Sequence, residues 1–317
     1  TKDVLAQLGA HLALRHLLQH LRECVGLWMR LRLNRLALPR APRSADEDRD
    51  ALQLDSNRHA LRFLVSAPLV HIAELPDLSF ELHSEIVLPN VLCLAGTCED
   101  AAAQAFVLRN FVEAFPVDFH ARTMQRVLAA CAQVHWAVDL HRLLRQFLRR
   151  LTAHAASTGR HSSDSTLCER LDFADIFDAF YSHVCLVRSR SRNTVVARRS
   201  LLLILFELVL VALACEGGSV LRVELVLTST LESLRQRLQE PWCEQAAGSL
   251  VDILAAPLTH EAMAVAVLAM PHHSELMALL PAELQRPAAH TLVEAIHAGG
   301  VKIQDYDTFR CLLTLIE

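Results

Sequence analysis

LHRLLRQFLRRL, residues 140–151, decides the fold. Leu140, Leu143, Leu144, Phe147, Leu148 and Leu151 recur at the i, i+3, i+4, i+7 spacing of one helix face, while Arg142, Arg145, Arg149 and Arg150 fall elsewhere around the axis. One stripe is apolar and the rest is charged, so the helix must lie on a partner. The same period continues in both directions. Helices are expected over 3–37, 57–75, 80–95, 99–115, 119–134, 139–156, 170–188, 194–215, 219–239, 241–255, 259–270, 281–298 and 304–316. Two stretches break the pattern, 39–56 (Pro, Asp and Arg) and 157–169 (Ser and Thr), and both are expected as exposed loops.

Local chemistry agrees with this division. Thr97 with Asp100 resembles a capping box, Thr259 with Glu261 places a cap and a first-turn carboxylate before an apolar run, and Pro241 suits a first helical position. Gly217-Gly218 and Gly299-Gly300 mark helix ends, and Pro68 should kink or split the helix that contains it. Helix follows helix about every 20 residues with no strand signal between them. The expectation is therefore an all-α chain, an α-solenoid of HEAT-like antiparallel helix pairs, continuous over 1–317.

Composition bounds the function. Apolar residues make 52% of the 317 and charged residues 21%, so the chain can bury a large core. Nine Gly and eleven Pro amount to about 6%, which leaves room for few turns. The net charge of -4 argues against a generic basic field for nucleic acid, and no nucleic-acid partner is expected. Cysteines stand at 24, 93, 98, 131, 168, 185, 215, 243 and 311, an odd number without a Cys-x-x-Cys pair; reduced packing residues of a cytosolic protein are expected. The chain starts at Thr1 without a signal-peptide pattern, which suggests a section of something longer. An isolated section of a solenoid is expected to associate through its ends.

The run LLLILFELVLVALAC, 201–215, could be mistaken for a membrane span. It falls short of the ~20 residues needed, and Glu207 sits at its centre, so a helix buried on most sides fits better. The basic stretch before it, Arg188 to Arg199, and the Arg142, Arg145, Arg149, Arg150 face lack interleaved Tyr or Trp and read as solvated faces.

His16 and His20, with Glu23 a turn later, could bring two imidazoles and a carboxylate to one ion, but the zincin Glu inside the pair is missing, so exposed histidines are expected. His272-His273 near Glu275, and His135, Asp139 and His141, have no recognised ligand spacing and read as surface positions. Glu99-Asp100 and Asp305 with Asp307 suit helix N-termini, and Cys93 and Cys98 suit burial. No nucleophile elbow, phosphate-cradling loop or Walker lysine occurs; the only lysines are Lys2 and Lys302. No catalytic, cofactor or metal residue is assigned, and no enzyme is expected.

Several stretches resemble one family in order: 58–75 (RHALRFLVSAPLVHIAEL), 86–92 (IVLPNVL), 98–108 (CEDAAAQAFVL), 113–120 (EAFPVDFH), 127–134 (VLAACAQV) and 140–157. Leu27-Trp28-Met29-Arg30 and 254–271 (LAAPLTHEAMAVAVLAMP) fit as well, and Phe115-Pro116-Val117-Asp118-Phe119-His120 is the most specific phrase. Together they resemble the middle of the vacuolar protein sorting-associated protein 35 family, the large α-solenoid subunit of retromer. The resemblance implies a scaffold joining an arrestin-like subunit to a phosphoesterase-fold subunit, in a complex that retrieves transmembrane cargo from endosomes. It also implies a cytoplasmic location, peripheral on endosomal membranes through adaptors. The Pro-Arg-Leu-Tyr-Leu-Leu motif tied to the arrestin-like partner is absent, so no partner-binding residue is carried over. Another helical-repeat adaptor, of the coat or karyopherin kind, would share the architecture and grip different partners.

Overall fold

A computed structural model describes residues 2–36, 63, 65–135, 138–158, 173–190, 194–215, 219–236, 242–302 and 310. Among them no residue is in a strand, and the fold is an all-α solenoid. In order, the helices are α1 (Lys2–Leu36), α2 (residues 65–73), α3 (Phe80–Leu82), a π-helical turn (His83–Val87), α4 (Leu88–Thr97), α5 (Ala101–Ala114), α6 (Val117–Cys131) and α7 (Leu140–Thr158). They continue as α8 (Phe173–Arg190), α9 (Thr194–Ala214), α10 (Val220–Arg235), α11 (Glu244–Ala255), a 3-10 turn (Ala256–Thr259), α12 (Glu261–Leu268), α13 (Pro271–Ala278) and α14 (Ala282–Ala298). Residue contacts divide the chain into two compact units, Thr1–Leu143 and Leu144–Glu317.

In the first unit α4 and α5 pack together, α1 lies against α5, and α6 packs on α4 and on the π turn. Val107, Leu108, Phe111 and Val112 of α5 are buried at helical spacing. In the second unit α9 is the hub, packed by α8, α10 and α11. Leu202, Ile204, Leu205, Leu208, Val209 and Ala212 of α9 are at most barely accessible, so the apolar run is a core helix and not a span. Among the described residues no helix is long and apolar enough to cross a membrane.

Several expectations are corrected. The helix expected over 80–95 runs without interruption to Thr97, but it contains a π turn at His83–Val87 that the period does not show, and His83 and Val87 of that turn are buried. Residues 271–278, expected as a loop, form α13 with Pro271 in its first turn, where the missing N–H costs nothing. Asp100 does cap α5, accepting from the Ala103 amide at 2.7 Å, but Thr97 instead donates back to the Cys93 carbonyl and belongs to the end of α4. Thr259 likewise donates to the Ala256 carbonyl, and His260 holds the cap position of α12. Pro68 does not split α2: residues 65–73 are helical through it. Gly299 ends α14 and Gly300 follows at φ +66°, a conformation costly for any side chain. Ser157 and Thr158 extend α7 into the expected loop. The rest of that loop, the loop at 39–56, Pro241, Gly217-Gly218 and most of 304–316 lie outside the described residues.

Candidate interaction sites

The phrase Phe115 to His120 is a helix junction. Phe115 leaves α5 in extended conformation and Pro116, extended too, starts α6, with Asp118 in the first turn near the positive helix end. One turn in, the His120 ring Nε2 donates to the carbonyl of Val112 in the last turn of α5 at 3.1 Å. Around this bend Phe111, Phe115 and Phe119 meet His83 at ring-centroid distances of 5.7, 5.0 and 4.9 Å. His83 is fully buried, and neither of its ring nitrogens finds a hydrogen-bond partner among the described residues. Burial first, and the charge of Arg126 second, push its pKa down to about 4. Arg126 donates to the Ser84 carbonyl at 2.8 Å, and the Arg122 guanidinium lies 3.2 Å from the centre of the Phe80 ring. These contacts fasten α6 to the segment around the π turn. The most family-like phrase is thus a packing hinge between helices.

A second fastening lies at the other end of α5. The buried Gln104 side chain donates to the Cys98 carbonyl at 2.7 Å and accepts from the His135 amide at 2.9 Å, joining the turn before α5 to the turn after α6. His135 therefore enters this bond through its backbone. Asp139 accepts from the Arg142 amide at 3.3 Å and pairs with His141 Nδ1 at 2.5 Å. The hydrogen bond from His141 is the main reason its carboxyl titrates below the usual range.

Beside this turn a groove of about 400 Å³ opens between α1, α5 and the first residues of α7. Trp28 and Phe106 stack on its floor, centroids 5.9 Å apart and rings inclined by 25°. Ala102, Ala105, Val138 and Leu143 complete the apolar lining, and Arg109, Arg142 and Asp139 contribute charge. The side chains of Ala102 and Ala105 are too short to fill the space in front of the rings. No single motif marks this site; its signal was the Leu27-Trp28-Met29-Arg30 tetrad and the small residues preceding Phe106.

In the second unit, Glu207 is 1% exposed at the middle of α9. Arg145 Nη2 at 3.1 Å and Arg149 Nε at 2.7 Å both donate to its Oε1. The expectation of a solvated arginine face is corrected for Arg145, which is largely covered, while Arg149 stays exposed; the two stand i, i+4 on α7 and converge on one buried carboxylate. Arg198, expected as solvated, is buried with its guanidinium 4.7 Å from the centre of the Trp242 ring. Arg192 lies outside the described residues.

The remaining candidates are placed as follows. His16, His20 and Glu23 are exposed on α1; Glu23 accepts from Gln19 at 2.9 Å, and His20 Nε2 stands 3.7 Å from the Cys24 sulfur. Among the described residues no three metal-ligating side chains come together. His273, expected at the surface, is buried on α13, and burial pushes its pKa to about 4 against the opposing effect of a hydrogen bond to the Leu254 backbone. Cys98 is buried 3.5 Å from the Met29 sulfur, whereas Cys93, expected to be buried, is exposed. Asp305, Asp307, Cys168 and Cys311 lie outside the described residues.

The family model described as vacuolar protein sorting-associated protein 35 matches residues 8–317. The chain is similar to vacuolar protein sorting-associated protein 35C of Arabidopsis thaliana, 26% identical over 324 aligned positions that cover 99% of this chain and 38% of that protein. It is 30% identical over 146 positions to protein 35B of the same plant, covering 46% of this chain and 17% of the relative. It is also 28% identical over 168 positions to vacuolar protein sorting-associated protein 35 of Dictyostelium discoideum, covering 53% and 19%. At 38% or less, the chain spans well under half the length of these relatives.

Proposed function

Since the chain belongs to the vacuolar protein sorting-associated protein 35 family, we propose that it is a section of the non-enzymatic scaffold subunit of retromer, built to hold other proteins rather than to turn over a substrate. The observation that carries this reading is the family match along 8–317, laid on a stack of helices. Three buried polar groups support it, because each fastens one segment of the chain to another. Gln104 ties two turns, His120 ties α6 to α5, and Glu207 ties α9 to α7. In this reading residues 1–317 form one continuous solenoid, which presents surface along its length to partners.

The partners are an arrestin-like subunit and a phosphoesterase-fold subunit, and the protein works in the cytoplasm, peripheral on endosomal membranes, in retrieving transmembrane cargo. The test is co-purification of the full-length protein, expressed with both candidate subunits, by a tag on the large subunit. Stoichiometric recovery of both is expected. Recovery of neither, from a soluble and helical full-length protein, would remove the reading.

A further inference from the structure

The π turn at His83–Val87 has a cause in its own sequence. Pro89 follows it as the second residue of α4, with no N–H and with a ring that would strike the Glu85 carbonyl in a regular α-helix. Widening the turn by one residue avoids that collision, and the Leu88 amide then reaches the His83 carbonyl five residues back. The Ser84 carbonyl is left short of a donor along the chain, because Leu88 gives its amide to His83 and Pro89 has none to give. Arg126 supplies the donor from α6, its Nη1 standing 2.8 Å from the Ser84 oxygen. The wide turn also decides where His83 points. A regular turn in its place would rotate residues 80–83 by about 100° against 88–97 and carry the imidazole away from Phe111, Phe115 and Phe119. Inside that enclosure both ring nitrogens are without a hydrogen-bond partner among the described residues, whereas outside it they would meet water. The enclosed position is therefore held by the proline and the arginine against a polar cost of its own.

We propose that the π turn is a conformational switch in helix 80–97: Pro89 and the bond from Arg126 to Ser84 keep His83 enclosed, and release of Arg126 loosens the turn and lets His83 leave. Arg126 is exposed, so its bond to Ser84 is the part of the device that can be reached from solvent. Neither Pro89 nor Arg126 is needed to fill the aromatic enclosure; both position His83 through the backbone. The switch goes beyond the scaffold reading and holds whichever partners the chain has.

The test is the rate at which diethyl pyrocarbonate acylates each histidine of the folded 317-residue chain at pH 7, read peptide by peptide by mass spectrometry. In the unsubstituted chain His83 and the equally enclosed His273 should be protected, while the exposed His290 reacts. Arg126→Ala should speed acylation of His83 about fivefold or more, the worth of one hydrogen bond, and leave His273 as slow as before. Pro89→Ala restores an amide, makes the regular turn available, and should do the same. Arg126→Ala alters only an exposed side chain and carries the test alone should Pro89→Ala not fold, which thermal melts decide. The switch is overturned if either folded variant leaves His83 as protected as in the unsubstituted chain. It is overturned as well if His273 gains reactivity in step with His83, which marks general loosening, or if His83 of the unsubstituted chain reacts as fast as His290.

Discussion

His83 shows how much one buried side chain can decide. An imidazole enclosed by Phe111, Phe115 and Phe119 leaves two polar atoms unpaired in an apolar setting, which costs about 1–3 kcal/mol relative to an apolar ring of the same shape. His83→Phe adds a little volume but removes both unpaired nitrogens, so we expect a net gain of about 1 kcal/mol in urea unfolding at pH 7. A loss of stability would mean that overpacking wins. At Gly299 the argument runs the other way. A Cβ there would stand 2.8 Å from the Thr259 backbone carbon and oxygen and 2.9 Å from the Leu258 oxygen, so the end of α14 would have to move off the 3-10 turn. Gly299→Ala should cost about 1–3 kcal/mol, read as a lower melting temperature. The Gly-Gly pair was legible as a helix end, but the close approach was not, because it depends on a loop about 40 residues earlier in the chain.

Among the elements, α7 and α9 carry the contact with the largest electrostatic stake. Glu207 is almost fully enclosed, whereas the side chains of Arg145 and Arg149 are 23% and 61% exposed. Removing the acid frees two arginines that can turn to water, while removing both arginines strands a buried carboxylate. Arg145→Ala with Arg149→Ala should therefore destabilise by about 3–5 kcal/mol, and Glu207→Leu by clearly less. Denaturation midpoints check this, and a larger loss in Glu207→Leu would sink it. The amphipathic stripe of α7 and the enclosed character of α9 were both readable from period and length. Their pairing was not, since 58 and 62 residues separate the partners. α13 was missed because eight residues carry too little period, although Pro271 at its start is a helix signal. The slip into a π turn at His83–Val87 leaves no mark in a pattern that stays apolar throughout.

Over the whole molecule, each unit buries one histidine whose pKa falls from 6.5 to about 4, His83 in the first and His273 in the second. The unfolded chain takes up protons below about pH 6.5, which the folded chain refuses until about pH 4. Stability is therefore full above 6.5 and declines as the pH falls through that window, by up to about 1.4 kcal/mol per pH unit for each histidine. Urea midpoints at pH 7.5 and 5.5 should differ accordingly, and His83→Phe with His273→Leu should flatten the difference. Equal midpoints in the unsubstituted chain would refute this. By itself the sequence determined that the chain is all-α, that most of its helices fall near their observed positions, and which family it resembles. These follow from hydrophobic period and local chemistry, which act over a few residues. Only the tertiary structure decided which polar groups are enclosed, that Arg145 and Arg149 meet Glu207, and that Trp28 and Phe106 form the floor of a groove. Burial and pairing between distant segments depend on which faces meet, and a one-dimensional pattern carries no record of that.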